Sequence, residues 1–513
     1  MYLYLLSLPS RTYPLPDNHV GQKLTNASNQ ALAAMLLLNA RRKPTILVLD
    51  DWHWVDEASD SSLMHLAGSM ENYPLMLLVI YRPERAEGWP DWHFRTSCVL
   101  KALDGRHTER IIRSNWKVDA LPEGFAAFIH DHTGGNPLFI EEVSRTLTED
   151  GSVRIAGQQA LLLNPAEQLK LPATVQAVIR ARLDRLDRHV KETLQLAAVI
   201  GRKFGVGILQ RLSGVGPALP GALAVLQSQG LIQQTGPVPE TEYTFKHALT
   251  QVTVYESLLV KRRRAVHTQI ARILERMYAG RLEKQCENIA YHYANSTAPA
   301  KALFYLEMAG GKAARVHSLA EARRYFETAL DIFGAKPLTG QEKHRYIDFA
   351  LQWAEVSQYA PSNRIRNALV QSLEYARASD ATQRTAEVSY WVGKFGYMQG
   401  DFVDAIPRIE DSIRLAERLN DRRLLALSTN LYGRACLYTG DLAKGIRRLN
   451  QGLALIDPFD AWDDIVYSTA ILGMMQGLSG NFKESLQTIA RAIRTARRHE
   501  IPTFEAMAFG YLG

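Results

Sequence analysis

The 513-residue sequence is 46% hydrophobic and 22% charged, with 60 lysines and arginines against 53 aspartates and glutamates. It reads as globular, with enough apolar residues for several cores and about three domains at roughly 100–200 residues each. The net charge of +7 is dispersed among acids, which makes a weak electrostatic bias rather than a dedicated nucleic-acid or membrane-surface binder. Cys98, Cys286 and Cys436 fit neither a disulfide framework nor a zinc site and point to a reducing, cytoplasmic setting. Met1–Pro9 is apolar but too short to span a bilayer, lacks the pattern of an export signal, and has no transmembrane counterpart elsewhere.

Thr45–Leu49 is a continuous β-rich apolar run, as expected of a parallel strand covered on both faces, and Leu75–Tyr81 repeats the pattern. Asp60–Met70 between them has helical spacing, and Val99–Leu103 offers a weaker third strand, so residues 30–105 read as an α/β unit. From about Asp104 the strand signal nearly vanishes, apart from Leu231-Ile232 and Tyr243–Phe245 across a turn-rich segment. Helices around such a hairpin predict a winged helix.

The last third repeats with a 40-residue step: Gly400-Asp401-Phe402, Gly440-Asp441-Leu442 and Gly480-Asn481-Phe482, with Gly393, Gly433, Gly473 and Gly513 keeping the same interval. Ile409, Leu449 and Ile489, then Ile413, Leu453 and Ile493, follow at the offset of one helical face. Each Gly-Asp/Asn is expected to form the turn of a helical hairpin that buries its apolar face against its neighbours, in a tetratricopeptide-like stack. Less regular units begin near His317 and Ala360.

Asp50-Asp51 at the end of the first apolar run has the Walker B form. Asp50 is placed to orient magnesium and Asp51 to position or deprotonate an attacking water, the alternative being strand-end acids that simply meet solvent. A phosphate-binding loop needs small glycine-rich backbone, a lysine and a Ser or Thr, and no Gly-x-x-x-x-Gly-Lys-Ser/Thr occurs. Gly21-Gln22-Lys23, Gly311-Lys312 and Gly393-Lys394 each lack the first glycine or the hydroxyl. Gly134-Gly135 permits a tight turn, Asn136 suits an N-cap, Pro137 the first helical position, and Glu141-Glu142 the early-helix dipole. Trp52, His53 and Trp54 read as packing residues that anchor the loop after the strand. Lys261-Arg262-Arg263-Arg264 invites a DNA-binding hypothesis, with a solvated helix face as the alternative; no recognition helix can be singled out, so nucleic acid is not an expected partner. No nucleophilic triad, Cys/His metal cluster or cyclase motif is evident.

Taken together, Leu47–Asp56, Tyr81-Arg82-Pro83-Glu84, Gly134–Glu142 and Phe245-Lys246-His247-Ala248-Leu249 closely resemble the signal-transduction ATPases with numerous domains, in the AAA-like P-loop class, which follow cyclase, kinase or regulator domains. The resemblance covers nearly the whole chain. It implies a mixed fold: a partial α/β P-loop NTPase core over 1–110, a helical lid over 111–170, a winged-helix region over 171–285 and an α-solenoid of tetratricopeptide-like hairpins over 286–513. It also implies that Arg82 is a sensor of the terminal phosphate, that Pro137 packs near adenine, and that His247 approaches the ADP phosphates; a solvated strand end, a helix start and an ordinary histidine are their plain structural readings. In the family the P-loop strand lies between the sensor strand and the one after it, so its loss would split the sheet. The chain is thus expected to be truncated on both sides, with ATP/ADP and Mg2+ bound by the intact family and weakly or not at all here. The function implied is a nucleotide-regulated signalling scaffold whose repeats bind a protein or peptide. The alternatives are an interaction module with an inert ATPase remnant and a DNA-binding regulator.

Overall fold

The computed structural model describes residues 1, 12, 21–82, 89–163, 165, 169, 171–212, 216, 218–236, 241–334, 337–456, 461–499 and 501–511. They divide into two units, Met1–Ala86 with Leu306–Gly513, and Glu87–Tyr305. The apolar start beyond Met1, the Pro83-Glu84 pair and Gly513 lie outside the described residues.

In the first unit, helix α1 (Gly21–Arg42), strand β1 (Thr45–Leu49), helix α2 (Glu57–Ser69) and strand β2 (Leu75–Val79) follow one another. β1 and β2 pair in parallel from Thr45↔Leu75 to Leu49↔Val79. Period-two alternation sends Leu47 and Leu77 against Ala33, Leu37 and Ala40 of α1 and Leu66 of α2. The opposite face, Ile46, Val48, Met76 and Leu78, is exposed. The expectation of a strand covered on both faces is therefore corrected to one covered face. An unbroken apolar run satisfies either arrangement, and only the neighbours decide. The third strand expected at Val99–Leu103 is also absent: the segment is irregular, with Val99 and Leu100 73% and 87% exposed. β propensity without a neighbouring ladder leaves an extended coil, and here the Leu103 N–H donates to Gly135 O at 3.0 Å instead.

The second unit runs through α3 (Gly105–Trp116), α4 (Phe125–Thr133), α5 (Pro137–Glu149), β3 (Val153–Ala156), β4 (Gln159–Leu162), α6 (Val175–Arg185), α7 (Arg188–Ile200), β5 (Lys203–Gly205), α8 (Val206–Arg211), α9 (Leu219–Ser228), β6 (Ile232–Gln234), β7 (Glu242–Phe245), α10 (Ala248–Ser257), α11 (Val260–Met277) and α12 (Cys286–Ala294). The expected hairpin is present as β6–β7, with Ile232 opposite Phe245. β5 joins its other side to give the order β5-β7-β6. The near absence of other strands after Asp104 is corrected by β5 and by the antiparallel β3–β4 pair, Val153↔Leu162 to Ala156↔Gln159. Three- and four-residue strands are too short to show alternation, although the two-residue Gly157-Gln158 loop is a hairpin signal. The basic run lies in the first turn of α11, where Lys261, Arg262 and Arg264 are exposed and Arg263 lies 4.8 Å from the Tyr255 ring.

α11 and α12 meet through a buried histidine pair. His267 Nδ1 and His292 Nδ1 are 2.9 Å apart, so one ring donates and the other accepts, and His267 Nε2 lies 3.1 Å from the Tyr255 hydroxyl. Burial holds both imidazoles well below their ordinary value, with the neighbouring Arg263 adding to the effect at His267. Because these bases are depressed in the fold, the unfolded chain binds more protons below about pH 6.5, and stability must fall as pH falls. Unfolding titrations of this unit are expected to lose up to about 1.4 kcal/mol per pH unit per histidine below that point. The loss should continue toward about pH 4, where His267 itself protonates. A His292→Phe variant should flatten the slope.

The remaining helices form hairpins: α13 (Pro299–Arg315) with α14 (Leu319–Phe333), α15 (Gly340–Val356) with α16 (Asn363–Ala378), α17 (Thr382–Met398) with α18 (Phe402–Leu419), α19 (Arg422–Thr439) with α20 (Leu442–Ile456), and α21 (Trp462–Leu478) with α22 (Phe482–Arg498), followed by α23 (Pro502–Gly510). The turns fall where the repeat placed them. Gly400, Gly440 and Gly480 have φ of 78°, 80° and 85°, a left-handed conformation that a side chain resists. Asp401 and Asp441 cap the helices that follow, through the N–H groups of Asp404 and Lys444. His317, at φ 59°, is the corresponding turn of the α13–α14 hairpin.

The second glycine series and the apolar series meet across each hairpin. A Cβ on Gly393, Gly433 or Gly473 would lie 2.6, 2.7 or 2.5 Å from the side chain of Ile409, Leu449 or Ile489. Gly433→Ala is therefore expected to lower stability by about 1–3 kcal/mol through overpacking. Gly68→Ala, in a helix with nothing within 4 Å of the added Cβ, should instead gain up to about 1 kcal/mol from helix propensity. Chemical denaturation of both variants checks the opposite signs. The first helices α15, α17, α19, α21 and α23 pack directly on one another in sequence, whereas the second helices make no comparable stack. The first helices thus form a continuous inner layer.

Candidate functional site

The residues singled out by resemblance fall in both units: Asp50, Asp51 and Arg82 in the first, Pro137 and His247 in the second. In the first, the register Leu49↔Val79 sets the two strand ends side by side, with Asp50-Asp51 directly after β1 and Arg82 three residues past β2. Ile80 N–H donates to Leu49 O at 2.8 Å and Trp52 N–H to Ile80 O at 2.9 Å, which extends the pairing just past both strands. Asp50 is exposed, and its Oδ1 accepts the Asp51 N–H at 2.9 Å. Asp51 takes a left-handed φ of 55° and opens a short 3-10 turn, Trp52–Trp54. Trp52 Nε1 donates to Asp60 Oδ1 at 2.9 Å, fixing the loop to α2. Trp54, by contrast, is 74% exposed, so the reading of all three aromatic residues as packing residues holds for Trp52 and fails for Trp54. Both ring nitrogens of His53 are buried without a partner among the described residues.

In the second unit, Asn136 Oδ1 accepts the Phe139 N–H at 3.2 Å and Pro137 occupies the first position of α5, as its composition dictates. Gly135, at φ 69°, cannot carry a side chain, because a Cβ would stand 2.1 Å from Leu103 O. One turn beyond Pro137, Glu141 gathers Lys246, Arg145 at 3.2 Å and His247 Nε2 at 3.9 Å. Pro137 and His247 are thereby brought to adjoining elements. Burial acts to raise the Glu141 carboxyl, but the Lys246 hydrogen bond and charge outweigh it and hold it below the usual range. Burial lowers His247, against the pull of Glu141, and its Nε2 is buried without a hydrogen-bond partner.

Glu142, read from sequence only as a helix-dipole acid, instead forms a buried ion pair with Arg182 of α6, both 4% exposed. Arg182 also donates to Gln229 O at 3.0 Å. This link spans 40 residues and carries no local signal. A second cluster missed by sequence lies on the inner layer, around Lys394, Arg434, Asp463 and Asp464 with Tyr359, Tyr390, Trp391 and Tyr467.

His247, with its orphaned imidazole nitrogen, lies in one unit and the carboxylate pair after β1 in the other. Phosphates require a row of backbone amides with a lysine, and the sequence holds no such loop. The residues present do not make a complete nucleotide site, and no hydrolytic step is derived from them. Among the described residues no group of three or more His, Cys, Asp or Glu could hold a metal, and no helix is long and apolar enough to cross a membrane.

The profile of a domain of unknown function, DUF8739, matches residues 106–160, which run from α3 to β4. An uncharacterized protein, R02095, of Rhizobium meliloti (strain 1021) is 26% identical over 325 residues, covering 62% of this chain and 31% of the relative. The match spans about a third of that relative's length. Among solved structures, a Signal Transduction ATPase with Numerous Domains carrying a tetratricopeptide repeat sensor, from Pyrococcus horikoshii, aligns over 96% of this chain and 82% of its own at 14% identity and a TM-score of 0.34. A Rap protein complexed with Competence and Sporulation Factor aligns over 51% and 74% at 12% identity and a TM-score of 0.36. The described residues are mostly helical, and those from Pro299 onward form a solenoid of helical hairpins.

Proposed function

We propose that the chain is a signalling scaffold of the signal-transduction ATPase type, in which the helical array binds a protein or peptide and the α/β and winged-helix parts are a nucleotide-sensing apparatus incomplete in this chain. The observation that carries the reading is the inner layer of first helices, where the partly exposed Trp391, Lys394 and Tyr467, with exposed Tyr359 beside them, line successive repeats. Solenoids of this kind present extended surfaces to partners. In an intact site Asp50 would hold Mg2+, Asp51 the attacking water, Arg82 and His247 the phosphates and Pro137 the adenine; ATP or ADP would bias two arrangements of the domains. Here, lacking the phosphate loop, the chain binds nucleotide poorly and acts as a binding module in a cytoplasmic setting.

Two measurements test this. Magnesium-dependent ATP hydrolysis by the purified chain should not rise above an Asp51→Asn control; robust turnover sensitive to that substitution overturns the module reading. A photo-crosslinking residue at Tyr359, beside the inner layer, should trap a discrete polypeptide in cells, whereas one at the comparably exposed Leu486 of α22 should not. The reverse pattern, or no adduct at either position, contradicts it.

A further inference from the structure

The 40-residue step places Lys394 of α17 and Arg434 of α19 at equivalent positions of successive first helices. Arg434 is 3% exposed and neutralised by Asp464 Oδ1 at 2.8 Å, offered by the first turn of α21, while Tyr467 lies 4.9 Å from its guanidinium. One step earlier, the counterpart of Asp464 is Leu424, a buried core residue. Lys394 therefore has no carboxylate within ion-pair distance among the described residues. Its Nζ donates to Gln358 Oε1 at 3.2 Å and lies 4.9 and 5.7 Å from the rings of Trp391 and Tyr390. The nearby acids are committed elsewhere: Asp464 to Arg434 and to Asn430 Nδ2 at 3.3 Å, Asp463 to the Tyr359 hydroxyl at 3.0 Å. Burial lowers the ammonium to about 8, with Arg434 adding to the effect and the more distant charges of Asp464 and Asp463 opposing it, and an ammonium withdrawn from water with no carboxylate paired to it is costly.

We propose that Lys394, framed by Gln358, Tyr390 and Trp391, receives a carboxylate from an acidic segment of a bound polypeptide, supplying from outside the counter-charge that Asp464 supplies one repeat later. The proposal rests on the reading of the array as a peptide-binding surface. A polypeptide rather than a free acid is the occupant because the aromatic wall continues past the cation: Phe504 of α23 lies 5.5 Å from Tyr467 and 6.1 Å from Tyr359. A side chain next to the acid would cover those rings.

The test is fluorescence anisotropy on the full chain with a short labelled peptide centred on Glu-Glu-Phe, its Gln-Gln-Phe twin, and free glutarate as competitor. The acidic peptide is expected to bind about tenfold tighter than its twin, as a charge-assisted hydrogen bond allows. Lys394→Met should abolish that discrimination and Lys394→Arg should keep it, with thermal unfolding confirming that both variants fold. Equal binding of the twins, binding of neither, or discrimination surviving in Lys394→Met overturns the proposal. So does displacement by glutarate alone at the peptide's own affinity, which would assign the site to a small acid. Crosslinking through Tyr359 in the chain with Lys394 intact separates the two failures: an adduct there without discrimination between the peptide twins sinks this site alone, whereas no adduct sinks the interaction reading.

Discussion

Asp464→Ala is expected to lower the stability of the repeat array by about 3–5 kcal/mol, because it strands the buried Arg434 guanidinium without its counter-charge. Arg434 and Asp464 are 3% and 12% exposed, and the α19–α21 contact closes over them. Removing both charges should be far milder, since replacing a buried ion pair by apolar residues of similar volume is often neutral or stabilising. The array itself supplies the substitutes: Met474 stands at the Arg434 position one repeat on, and Leu424 at the Asp464 position one repeat back. The double variant Arg434→Met with Asp464→Leu should therefore recover most of the loss in thermal unfolding. If it is as unstable as Asp464→Ala, the pair is needed for more than mutual neutralisation.

The second large effect belongs to the other unit. Glu142→Ala should also cost about 3–5 kcal/mol, by leaving Arg182 buried and only partly compensated. Glu149 Oε2 remains 3.7 Å from Arg182 Nε but is itself half-exposed, and Gln229 O retains one hydrogen bond. The link ties α5 to α6 and to the end of α9, so its loss should melt this unit early. Arg188→Ala provides the contrast: its ion pair with Glu192 is at the surface, with Arg188 92% exposed. That substitution should change stability by less than about 1 kcal/mol. Differential scanning calorimetry of both variants separates the two cases.

The helical hairpins were legible because their determinants are local. A left-handed turn demands glycine, the following acid caps the next helix, and a glycine facing Ile409, Leu449 or Ile489 must recur at the same interval. β1 and β2 were legible from their apolar runs, and the β6–β7 hairpin from a turn-rich break. What failed depended on partners distant in sequence. Val99–Leu103 had strand composition but no neighbour, while β5 and the β3–β4 pair had neighbours but too few residues to show a pattern. Of the candidate site, sequence placed Asn136 and Pro137 correctly at a helix start, and its turn residue Gly135 meets Leu103 as a tight approach requires. The Glu142–Arg182 pair could not be foreseen, because a buried ion pair leaves no periodic trace. Lys394 entered only as part of a Gly-Lys look-alike of a phosphate loop. A signal did exist, since the repeat aligns Lys394 with Arg434 and sets Leu424 against Asp464, but only the packed structure shows that Arg434 and Asp464 meet at all.

The central claim is that the inner layer of the array, and not the carboxylate end of β1, is the working surface of this chain. The most direct measurement is the yield of the polypeptide crosslinked through Tyr359 in two variants, Asp50→Asn with Asp51→Asn, and Trp391→Ala with Lys394→Met. An unchanged yield in the first and a loss of most of it in the second is the expected result. A yield that falls with the strand-end carboxylates and survives the inner-layer substitutions would contradict the claim.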